Sequence, residues 1–376
     1  MKIDAIQNGT KGGSGMDDIY YMKLALDLAK KGEGKTTPNP MVGAVIVKDG
    51  KIIGKGYHTK LGAPHAEREA FASLTETAKG ATLYVTLEPC CHYGKTPPCT
   101  EAIIEHQIKR VVVATKDPNP LVSGKGLQIL SNHGIEVTTG VLEQEALELN
   151  HIFFHYITKK LPYVVMKYAM SADGKIACYT GNSQWITSEE ARYHVHKLRN
   201  RYRAIMVGIG TVLADNPLLT CRIENGSNPI RVVCDSSLRI PYDCNIMKTA
   251  AQIPTYIACH TDNLEKKLLL ESMGAKIIDT PEKNGTLDLE WLLTKLGSLN
   301  IDSILVEGGG TLNESLLKTK LVNALMVYIA PKIIGGSQSK TPVKGLGVPS
   351  PDEAYEFHLK QIETIGKDIL LEYIVK

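Results

Sequence analysis

The segment MVGAVIVKDGKIIGKGYH, residues 41–58, decides how the first half of the chain folds. Two runs rich in β-branched residues flank Asp49-Gly50, a dipeptide that accepts the positive φ angles of a tight turn, so the segment predicts a β-hairpin. Upstream, apolar residues recur at helical spacing from Asp17 to Gly32, which predicts a helix that the glycine caps. Downstream, helical and strand-like segments alternate. Alternation after a single hairpin predicts an α/β/α layered sheet with parallel members.

The elements downstream of the hairpin can be placed individually. We expect helices over 65–78, 99–106 and 126–132, strands over 81–89 and 110–117, and then a short strand and one long helix over 136–160. Pro162 follows, so we place a domain boundary near 145–161, with one domain over 16–160 and a second over 161–376. Residues 1–15 end in KGGSG before Met16 and are expected to be a flexible leader or a remnant of cloning.

Seven short apolar runs in the second half predict a second α/β domain. They lie over 163–171, 203–212, 230–235, 254–260, 275–279, 303–309 and 324–331. The Gly- and Pro-rich stretch over 335–351 is expected to form a mobile or ligand-facing loop, and ILLEYIV, 369–375, a final strand. Short edge strands in this domain favour a homo-oligomer.

Composition excludes several classes of protein. A chain of 376 residues is longer than one core usually supports, since cores stop growing at roughly 250–300 residues. With 43 Lys and Arg against 40 Asp and Glu, the chain lacks the basic field of a duplex nucleic-acid binder, so we expect small ligands and no nucleic-acid partner. No apolar run approaches the roughly 18–20 residues of a membrane span, and no secretory leader opens the chain. We therefore expect a cytoplasmic protein whose eight cysteines are reduced.

The strongest chemical signal combines HAE, residues 65–67, with EPCCHYGKTPPC, residues 88–99. One imidazole and two thiolates would give zinc three ligands and leave a fourth position for water, as in catalytic zinc sites. Glu67 would then be close enough to move protons, which suits hydrolytic deamination. The alternative is a structural zinc site in which Cys91 or His92 completes the shell, although we expect Cys91 to pack instead.

Four polar residues around these motifs are candidates for substrate binding. Asn39 precedes the hairpin, His58 ends it, and His92 and Lys95 lie on the loop between the cysteines. An amide or an imidazole can hydrogen-bond a heterocycle, and a lysine can hold a phosphate. Each residue also has an ordinary explanation, as a turn asparagine, a surface histidine or a solvated lysine.

Two glycine-containing turns in the second half suggest a nucleotide site. SILVEGGGTLNESLLK, 303–318, and RAIMVGIGTVLADNP, 203–217, each have the pattern of strand, turn and helix. Bare backbone there would let a pyrophosphate approach the amide groups at a helix N-terminus. Neither segment contains the GxGxxG of the Rossmann fold, and either could be a plain connection. The polar residues Trp185, Thr187 and Asp215 favour a site.

Nine motifs together resemble a family of bacterial bifunctional riboflavin-biosynthesis proteins, in which a pyrimidine deaminase is fused to a 5-amino-6-(5-phosphoribosylamino)uracil reductase. The motifs are PNPMVGAVIVKDG (38–50), PHAE (64–67), YVTLEPCCHYGKTPPC (84–99), DPNPLVSGKGL (117–127), SADGKIA (171–177), SQWITS (183–188), TVLADNPLLTCR (211–222), VEGGGTLN (306–313) and YIAPKIIG (328–335). They span about 17–376 in the family's order. The resemblance is specific because signatures of two unrelated domains occur in one chain.

For the first domain, the resemblance implies a cytidine-deaminase-like fold that converts 2,5-diamino-6-ribosylamino-4(3H)-pyrimidinone 5′-phosphate to the 5-aminouracil ribosyl phosphate and releases ammonia. It implies one zinc ion per chain, bound by His65, Cys90 and Cys99, with Glu67 as the proton shuttle. The positions associated with substrate recognition are Asn39, His58, His92 and Lys95.

For the second domain, the resemblance implies a dihydrofolate-reductase-like α/β fold that reduces the ribosyl group to ribityl by hydride transfer from NADPH to C1′. The NADPH positions would be Ala169, Trp185, Thr211, Asp215, Ser236, Gly309, Gly310, Thr311, Leu312 and Asn313. The substrate positions would be Ser183, Arg199, Leu219, Arg222 and Glu307, with Lys167 also expected to face the site. The two arginines suit bidentate phosphate binding, although Arg199 without the resemblance could be a solvated charge.

Two other functions compete with this one. The first is a nucleoside or tRNA deaminase with an accessory domain, which the near-zero net charge and the motifs of the second half disfavour. The second is a zinc-stabilised binding module without catalysis. Ammonia release and NADPH oxidation would separate the three.

Overall fold

A computed structural model describes residues 14–93, 97–119 and 122–375 of the chain. The chain divides into two compact units, residues 1–158 and residues 159–376. Within the described residues, no helix has both the length and the apolarity that a bilayer crossing requires.

The first unit is built on a five-stranded sheet. Its strands are β1 (Gly43–Lys48), β2 (Lys51–Tyr57), β3 (Thr82–Leu87), β4 (Arg110–Thr115) and β5 (Glu136–Thr139). Its helices are α1 (Ser14–Ala29), α2 (Ala66–Ala72), α3 (Cys99–Glu105), α4 (Lys125–Asn132), α5 (Glu143–Leu149) and α6 (His151–Lys159), and a 3₁₀ turn spans Lys30–Gly32. The strand order is β2-β1-β3-β4-β5, with β1 antiparallel to both neighbours and β3, β4 and β5 parallel.

The predicted hairpin is present, and its turn has the expected chemistry. Asp49 and Gly50 adopt φ angles of 49° and 74°, and Lys48 pairs with Lys51. Two positive φ angles in a two-residue loop match the right-handed twist of the flanking strands.

Both faces of the sheet are covered, which produces the predicted three layers. Ile46 and Leu83 pack in the cluster that contains α2, α3 and α4, whereas Val45 and Tyr84 pack with α1 and α5 on the opposite face. Successive strand residues point to opposite faces, so a fully covered sheet requires continuous apolar runs of the kind that β1 and β3 carry.

Four local predictions were wrong. The helix expected over 65–78 ends at Ala72. Helix α1 begins at Ser14, before the expected Asp17, and Gly32 lies in a 3₁₀ turn instead of capping α1. Gly32 is small because a Cβ there would lie 2.7 Å from the carbonyl oxygen of His58. The single long helix is two helices, α5 and α6, separated at Asn150. The buried Asn150 amide bonds the backbone N–H and C=O of Met41, both at 2.8 Å, a tertiary contact that propensity does not reveal.

The second unit contains a nine-stranded sheet. Its strands are β6 (Tyr163–Ser171), β7 (Ala204–Gly208), β8 (Ile230–Cys234), β9 (Thr255–Cys259), β10 (Ala275–Asp279), β13 (Ser303–Val306), β14 (Val322–Ala330), β15 (Phe357–Ile365) and β16 (Asp368–Val375), and the pair β11 (Glu282–Lys283) and β12 (Thr286–Leu287) forms a separate ribbon. Its helices are α7 (Glu189–Arg201), α8 (Ile209–Asp215), α9 (Asn245–Lys248), α10 (Leu264–Ser272), α11 (Leu289–Ser298) and α12 (Gly310–Thr319), with a 3₁₀ turn over Pro351–Glu353.

The sheet order is β10-β9-β8-β7-β13-β6-β14-β16-β15. All pairs from β10 to β14 are parallel, and β16 and β15 add an antiparallel edge. One face packs against α11 and α12, and the other against α8, α9 and α10. All seven predicted apolar runs form strands of this sheet, as does the final run.

Strand β15 was not predicted from the sequence. Between its first and last residues it is exposed throughout, and it alternates apolar residues such as Leu359 and Ile362 with Lys360 and Glu363 only irregularly. An edge strand of this kind needs no buried face, so it leaves no apolar run in the sequence.

Candidate active sites

The first unit brings together one imidazole and two thiols. His65 lies immediately before α2, Cys90 follows β3, and Cys99 is the first residue of α3. The Nδ1 atom of His65 is 3.4 Å from each sulfur, and the three potential ligand atoms lie within 4.8 Å of one another. In a tetrahedral zinc site with ordinary Zn–N and Zn–S bonds, an N···S separation of about 3.6 Å is expected. The three side chains therefore fit zinc.

Neither of the two proposed closing ligands belongs to this cluster. Among the described residues the cluster contains only His65, Cys90 and Cys99, whereas Cys91 is half-buried and His92 is exposed. A shell of three protein ligands matches a catalytic zinc site and disfavours the closed structural one.

Glu67 lies beside the cluster and is 3% exposed. Burial, followed by the charge of Cys90, raises the pKa of this carboxyl to about 7. Hydrogen bonds from Cys99 and His65 lower the pKa of the Cys90 thiol to about 4 against the opposing effect of burial. A carboxyl whose pKa is near neutral can accept a proton and return it, as a general acid–base group must.

Asn39 and His58 meet at the rim of this site. The Nδ1 atom of His58 lies 3.0 Å from the carbonyl oxygen of Pro64, and its Nε2 atom lies 3.3 Å from the side-chain nitrogen of Asn39. Because the carbonyl can only accept, His58 donates through Nδ1 and accepts the Asn39 amide at Nε2. Burial lowers the pKa of His58, which keeps the ring neutral and suits this arrangement. The rings of His58 and His65 pack edge to face at 5.8 Å.

The remaining two predicted positions lie on the cysteine loop. His92 is exposed. Burial raises the pKa of the nearby Asp117, and the interaction with His92 acts in the opposite direction. Lys95 lies outside the described residues.

The sequence analysis missed Glu88, a buried carboxylate two residues before Cys90. It accepts backbone N–H bonds from Asp117 at 3.3 Å, Gly124 at 3.0 Å and Gly126 at 3.1 Å, and thereby attaches the 117–126 segment to the cysteine loop. The only signal in the sequence was an acidic residue at the end of an apolar strand, which does not identify its partners.

The second unit contains a cavity of about 1320 Å³, larger than the roughly 300–1,000 Å³ of typical ligand pockets. Every residue predicted for the reductase lines it: Lys167, Ala169, Ser183, Trp185, Arg199, Thr211, Asp215, Leu219, Arg222, Ser236, Glu307, Gly309, Gly310, Thr311, Leu312 and Asn313. Thr187, Tyr328 and His196 line it as well, and the last two were not predicted.

A buried group of three charges forms one wall of the cavity. Arg199 contacts Glu307 through two bonds, Nε to Oε1 at 2.7 Å and Nη2 to Oε2 at 3.0 Å, and Lys167 Nζ lies 3.5 Å from Glu307. Burial opposes ionisation of Glu307, but the charges of Arg199 and Lys167 prevail and lower its pKa to about 2. Burial lowers the pKa of Lys167 despite the attraction of Glu307. Arg199 is thus neither a solvated charge nor a free phosphate clamp.

The three glycines after β13 have different roles. A Cβ at Gly308 would lie 2.6 Å from the Cα atom of Val207, and one at Gly310 would lie 2.8 Å from the carbonyl oxygen of Thr341. Gly309 has room, since the nearest atom to its Cβ would be the Thr211 hydroxyl oxygen at 3.5 Å. Its N–H donates to that hydroxyl at 3.2 Å. Close packing therefore requires Gly308 and Gly310. Of the three glycines only Gly309 has open space beside its Cα atom.

A zinc-type deaminase site in one α/β unit and a large charged cavity in a second α/β unit define the class of protein, a bifunctional deaminase and reductase. Residues 16–115 match the family described as the cytidine and deoxycytidylate deaminase zinc-binding region, and residues 162–371 match the RibD C-terminal domain. The chain belongs to the RibD family of riboflavin biosynthesis proteins.

Curated relatives and solved structures of this family match the chain over nearly its full length. The riboflavin biosynthesis protein RibD of Actinobacillus pleuropneumoniae is 52% identical over 360 residues, which cover 96% of each chain, and that of Aquifex aeolicus is 48% identical over 94% of this chain and 97% of its own. Acinetobacter baumannii RibD, 37% identical, superposes with a TM-score of 0.88 over 96% of this chain and 100% of its own. A Thermotoga maritima diaminohydroxyphosphoribosylaminopyrimidine deaminase/5-amino-6-(5-phosphoribosylamino)uracil reductase, 39% identical, gives 0.84 over 97% and 100%.

Membership of this family confirms the main predictions from the sequence. The first unit is cytidine-deaminase-like and the second is the dihydrofolate-reductase-like RibD reductase. The chain is a bifunctional enzyme of riboflavin biosynthesis whose family uses zinc and NADPH, and the tRNA or nucleoside deaminase is disfavoured.

Proposed function

We propose that the chain deaminates 2,5-diamino-6-ribosylamino-4(3H)-pyrimidinone 5′-phosphate and then reduces the ribosyl group, giving 5-amino-6-ribitylamino-uracil 5′-phosphate. The observation that carries the proposal is the convergence of His65, Cys90 and Cys99 beside the buried Glu67, in a chain whose second unit holds a large cavity with buried charges. We assign the deamination to residues 16–160 and the reduction to residues 161–376.

In the deaminase, His65, Cys90 and Cys99 would hold zinc, which when bound supplies a water of lowered pKa as nucleophile. Glu67 takes the proton of the attacking water and delivers it to the departing amine. Its carboxyl is buried beside the cluster, within reach of both transfers. Asn39 offers the pyrimidine its carbonyl oxygen and its second amide N–H, since His58 accepts only one of the two. We assign binding of the substrate phosphate to His92 and Lys95.

In the reductase, NADPH when bound supplies the hydride. Gly309 and the start of α12 would hold its phosphates. The other residues that would hold the cofactor also line the cavity: Ala169, Trp185, Thr211, Asp215, Ser236, Thr311, Leu312 and Asn313. Lys167, Arg199 and Glu307 face the substrate, with Ser183, Leu219 and Arg222 around it.

A coupled assay tests both halves. The purified chain receives the diaminopyrimidine substrate with and without NADPH, and ammonia, NADPH oxidation and products are measured. We expect ammonia in both cases, the deaminated compound to accumulate only without NADPH, and the ribityl product only with it. Ammonia without NADPH oxidation would contradict the reductase assignment, and NADPH oxidation only from externally supplied deaminated compound would contradict the deaminase assignment.

We also propose that the enzyme acts in the cytoplasm as a homo-oligomer. All eight cysteines are free thiols, as a reducing compartment maintains them. The antiparallel edge of the second unit exposes Leu359 (51%), Ile362 (61%) and Ile369 (44%), an apolar surface that a second copy would cover. Sedimentation velocity should show a species larger than one chain, and Ile362→Lys should shift it toward the monomer. A monomeric parent protein would contradict the proposal.

A further inference from the structure

Arg68 lies on α2 directly after Glu67, at the first position beyond the PHAE motif. His65 immediately precedes this helix, and Arg68 follows it by three positions, so the two side chains lie on the same side of the helix. The side chain of Arg68 is half-buried. Its guanidinium reaches the loop between the two zinc-binding cysteines.

Three hydrogen bonds join Arg68 to the end of the cysteine loop. Its Nε and Nη2 atoms both donate to the carbonyl oxygen of Pro97, at 3.2 and 2.9 Å. Nη2 also donates to the carbonyl oxygen of Pro98 at 3.1 Å. Because a guanidinium presents its donors in a rigid plane, one side chain can hold two successive peptide groups in a fixed orientation.

The two prolines make this segment dependent on an external donor. Neither Pro97 nor Pro98 has a backbone N–H, so the backbone of both residues can be held only through its carbonyl oxygens. Pro98 is buried and is the last residue before α3, with an extended ψ angle of 144° and no side-chain cap. Arg68 donates to both of the available oxygens.

The segment that Arg68 holds leads directly into a metal ligand. Cys99 follows Pro98 and is fully buried. Its N–H donates to the Cys90 sulfur at 3.3 Å, and its own sulfur lies 3.4 Å from Nδ1 of His65. A shift of the Pro98 peptide would therefore move the Cys99 thiol relative to both other ligands. Arg68 connects the helix that begins after His65 to the segment that carries Cys99.

We propose that Arg68 is a positioning residue of the zinc site, which holds Cys99 at binding distance by hydrogen-bonding the carbonyl oxygens of Pro97 and Pro98. This inference rests on the proposed function, because it assumes that the cluster binds zinc. Groups that orient metal ligands commonly change metal affinity or activity by about 10- to 100-fold when they are removed.

Hydrogen bonding, and not charge, is the property of Arg68 that this role requires. A zinc ion bound by two thiolates and a neutral imidazole is uncharged overall, so a neighbouring cation changes its binding little. Arg68→Met removes the charge and the donors but keeps an aliphatic stem. Arg68→Lys keeps the charge but replaces the planar fork by a single nitrogen.

Zinc release from the full chain tests the proposal. Zinc-loaded protein is mixed with an excess of a chromophoric chelator, and the rate of zinc transfer is followed. Arg68→Met should release zinc at least about tenfold faster than the parent protein, and Arg68→Lys at least about threefold faster. Should Arg68→Met not fold, Arg68→Lys carries the test by itself.

Lys79→Met is the matched control. It removes an exposed cation that precedes β3, whereas Cys90 follows β3, so the two residues lie at opposite ends of the strand. This variant should release zinc at the rate of the parent protein.

Cobalt in place of zinc tests whether Cys99 is the ligand that Arg68 positions. Absorption by cobalt–thiolate charge transfer increases with the number of bound sulfurs, and Cys99→Ser provides the reference for a single thiolate. We expect the absorption of cobalt-loaded Arg68→Met to lie between this reference and the parent. A variant that had merely lost stability would keep the parent spectrum in its folded fraction.

Three results would overturn the proposal. The first is zinc release and a cobalt spectrum in Arg68→Met equal to those of the parent. The second is a parent-like rate in Arg68→Lys, since charge alone would then suffice. The third is a raised KM for the diaminopyrimidine substrate with unchanged zinc release, which would make Arg68 a substrate ligand.

Failure of this inference can be told apart from failure of the proposed function. Faster zinc release from Arg68→Met supports the inference even if the parent protein releases no ammonia from the diaminopyrimidine. Conversely, ammonia release by a parent protein that retains zinc no better than Arg68→Met refutes the inference and leaves the proposed function standing. A parent protein that binds no zinc would refute both.

Discussion

Replacing Glu307 with glutamine should destabilise the second unit strongly, because it leaves two buried cations without their shared anion. The side chains of Lys167, Arg199 and Glu307 are only 13%, 14% and 8% exposed, so solvent screens them little. The pKa of Glu307 falls from an ordinary 4.5 to about 2. At about 1.36 kcal/mol per pH unit, that shift corresponds to roughly 3 kcal/mol of folding free energy. Removing one partner of a buried pair typically costs about 3–5 kcal/mol, in agreement.

The assay is urea unfolding followed by tryptophan fluorescence. Both tryptophans of the chain, Trp185 and Trp291, lie in the second unit, so the signal reports on that unit. A loss of about 3 kcal/mol should move the urea midpoint down by about 1–1.5 M. Glu282→Gln is the control, since that carboxylate is 52% exposed and its ion pair is with the half-exposed His260 at 3.6 Å. Its free energy of unfolding should stay within about 0.5 kcal/mol of the parent's.

The pH dependence of the free energy of unfolding provides a second test. A carboxyl with a depressed native pKa contributes its full stabilisation above its unfolded value, here 4.5, and loses it as pH falls toward the native value of about 2. The difference between the parent and Glu307→Gln should therefore be constant from pH 6 to 8 and shrink below about pH 4.5. A glutamine variant as stable as the parent at pH 7, or a difference that persists unchanged to pH 3, would refute the reasoning.

Four further substitutions test other parts of the molecule. Glu67→Gln should retain zinc by elemental analysis and lose ammonia release, while NADPH oxidation with the deaminated compound continues; loss of both activities would contradict separate sites. Gly308→Ala should lower the thermal midpoint and weaken NADPH quenching, because the new Cβ lies 2.6 Å from Val207, whereas Gly309→Ala should unfold near the parent temperature, and similar losses in both would count against the packing argument. Asp18→Asn should destabilise the first unit by about 3 kcal/mol in circular-dichroism melts, because this 6% exposed carboxylate accepts two bonds from Arg110 at 2.8 Å, and a neutral effect would exclude the pair as a stabilising contact.

Much of the architecture follows from local sequence. The hairpin turn, the covered β1 and β3 runs and the seven strands of the second unit were predictable because each carries its own periodicity or turn chemistry. Strand β15 and the break at Asn150 were not, because an exposed edge leaves no apolar pattern and the Asn150 partner, Met41, lies 109 positions away. Local rules fail where a tertiary contact or an open edge decides the structure.

In the candidate sites, too, some residues could be identified from their type and spacing, whereas the role of others depends on a distant partner. His65, Cys90 and Cys99 were identifiable because zinc restricts ligand chemistry so strongly that residue type and spacing suffice. An arginine carries no such restriction, since a guanidinium serves a carboxylate and a phosphate equally well.

The role of Arg199 therefore depends on Glu307, 108 positions away, whose carboxylate accepts hydrogen bonds from the Nε and Nη2 atoms of Arg199. Once that pair exists, it cannot also be the main clamp for a phosphate without leaving Glu307 beside an incoming dianion. The phosphate must then be bound by groups whose donors are still available. Several cationic side chains in the described cavity wall are not held by Glu307, among them Arg222, Arg239 and Lys344.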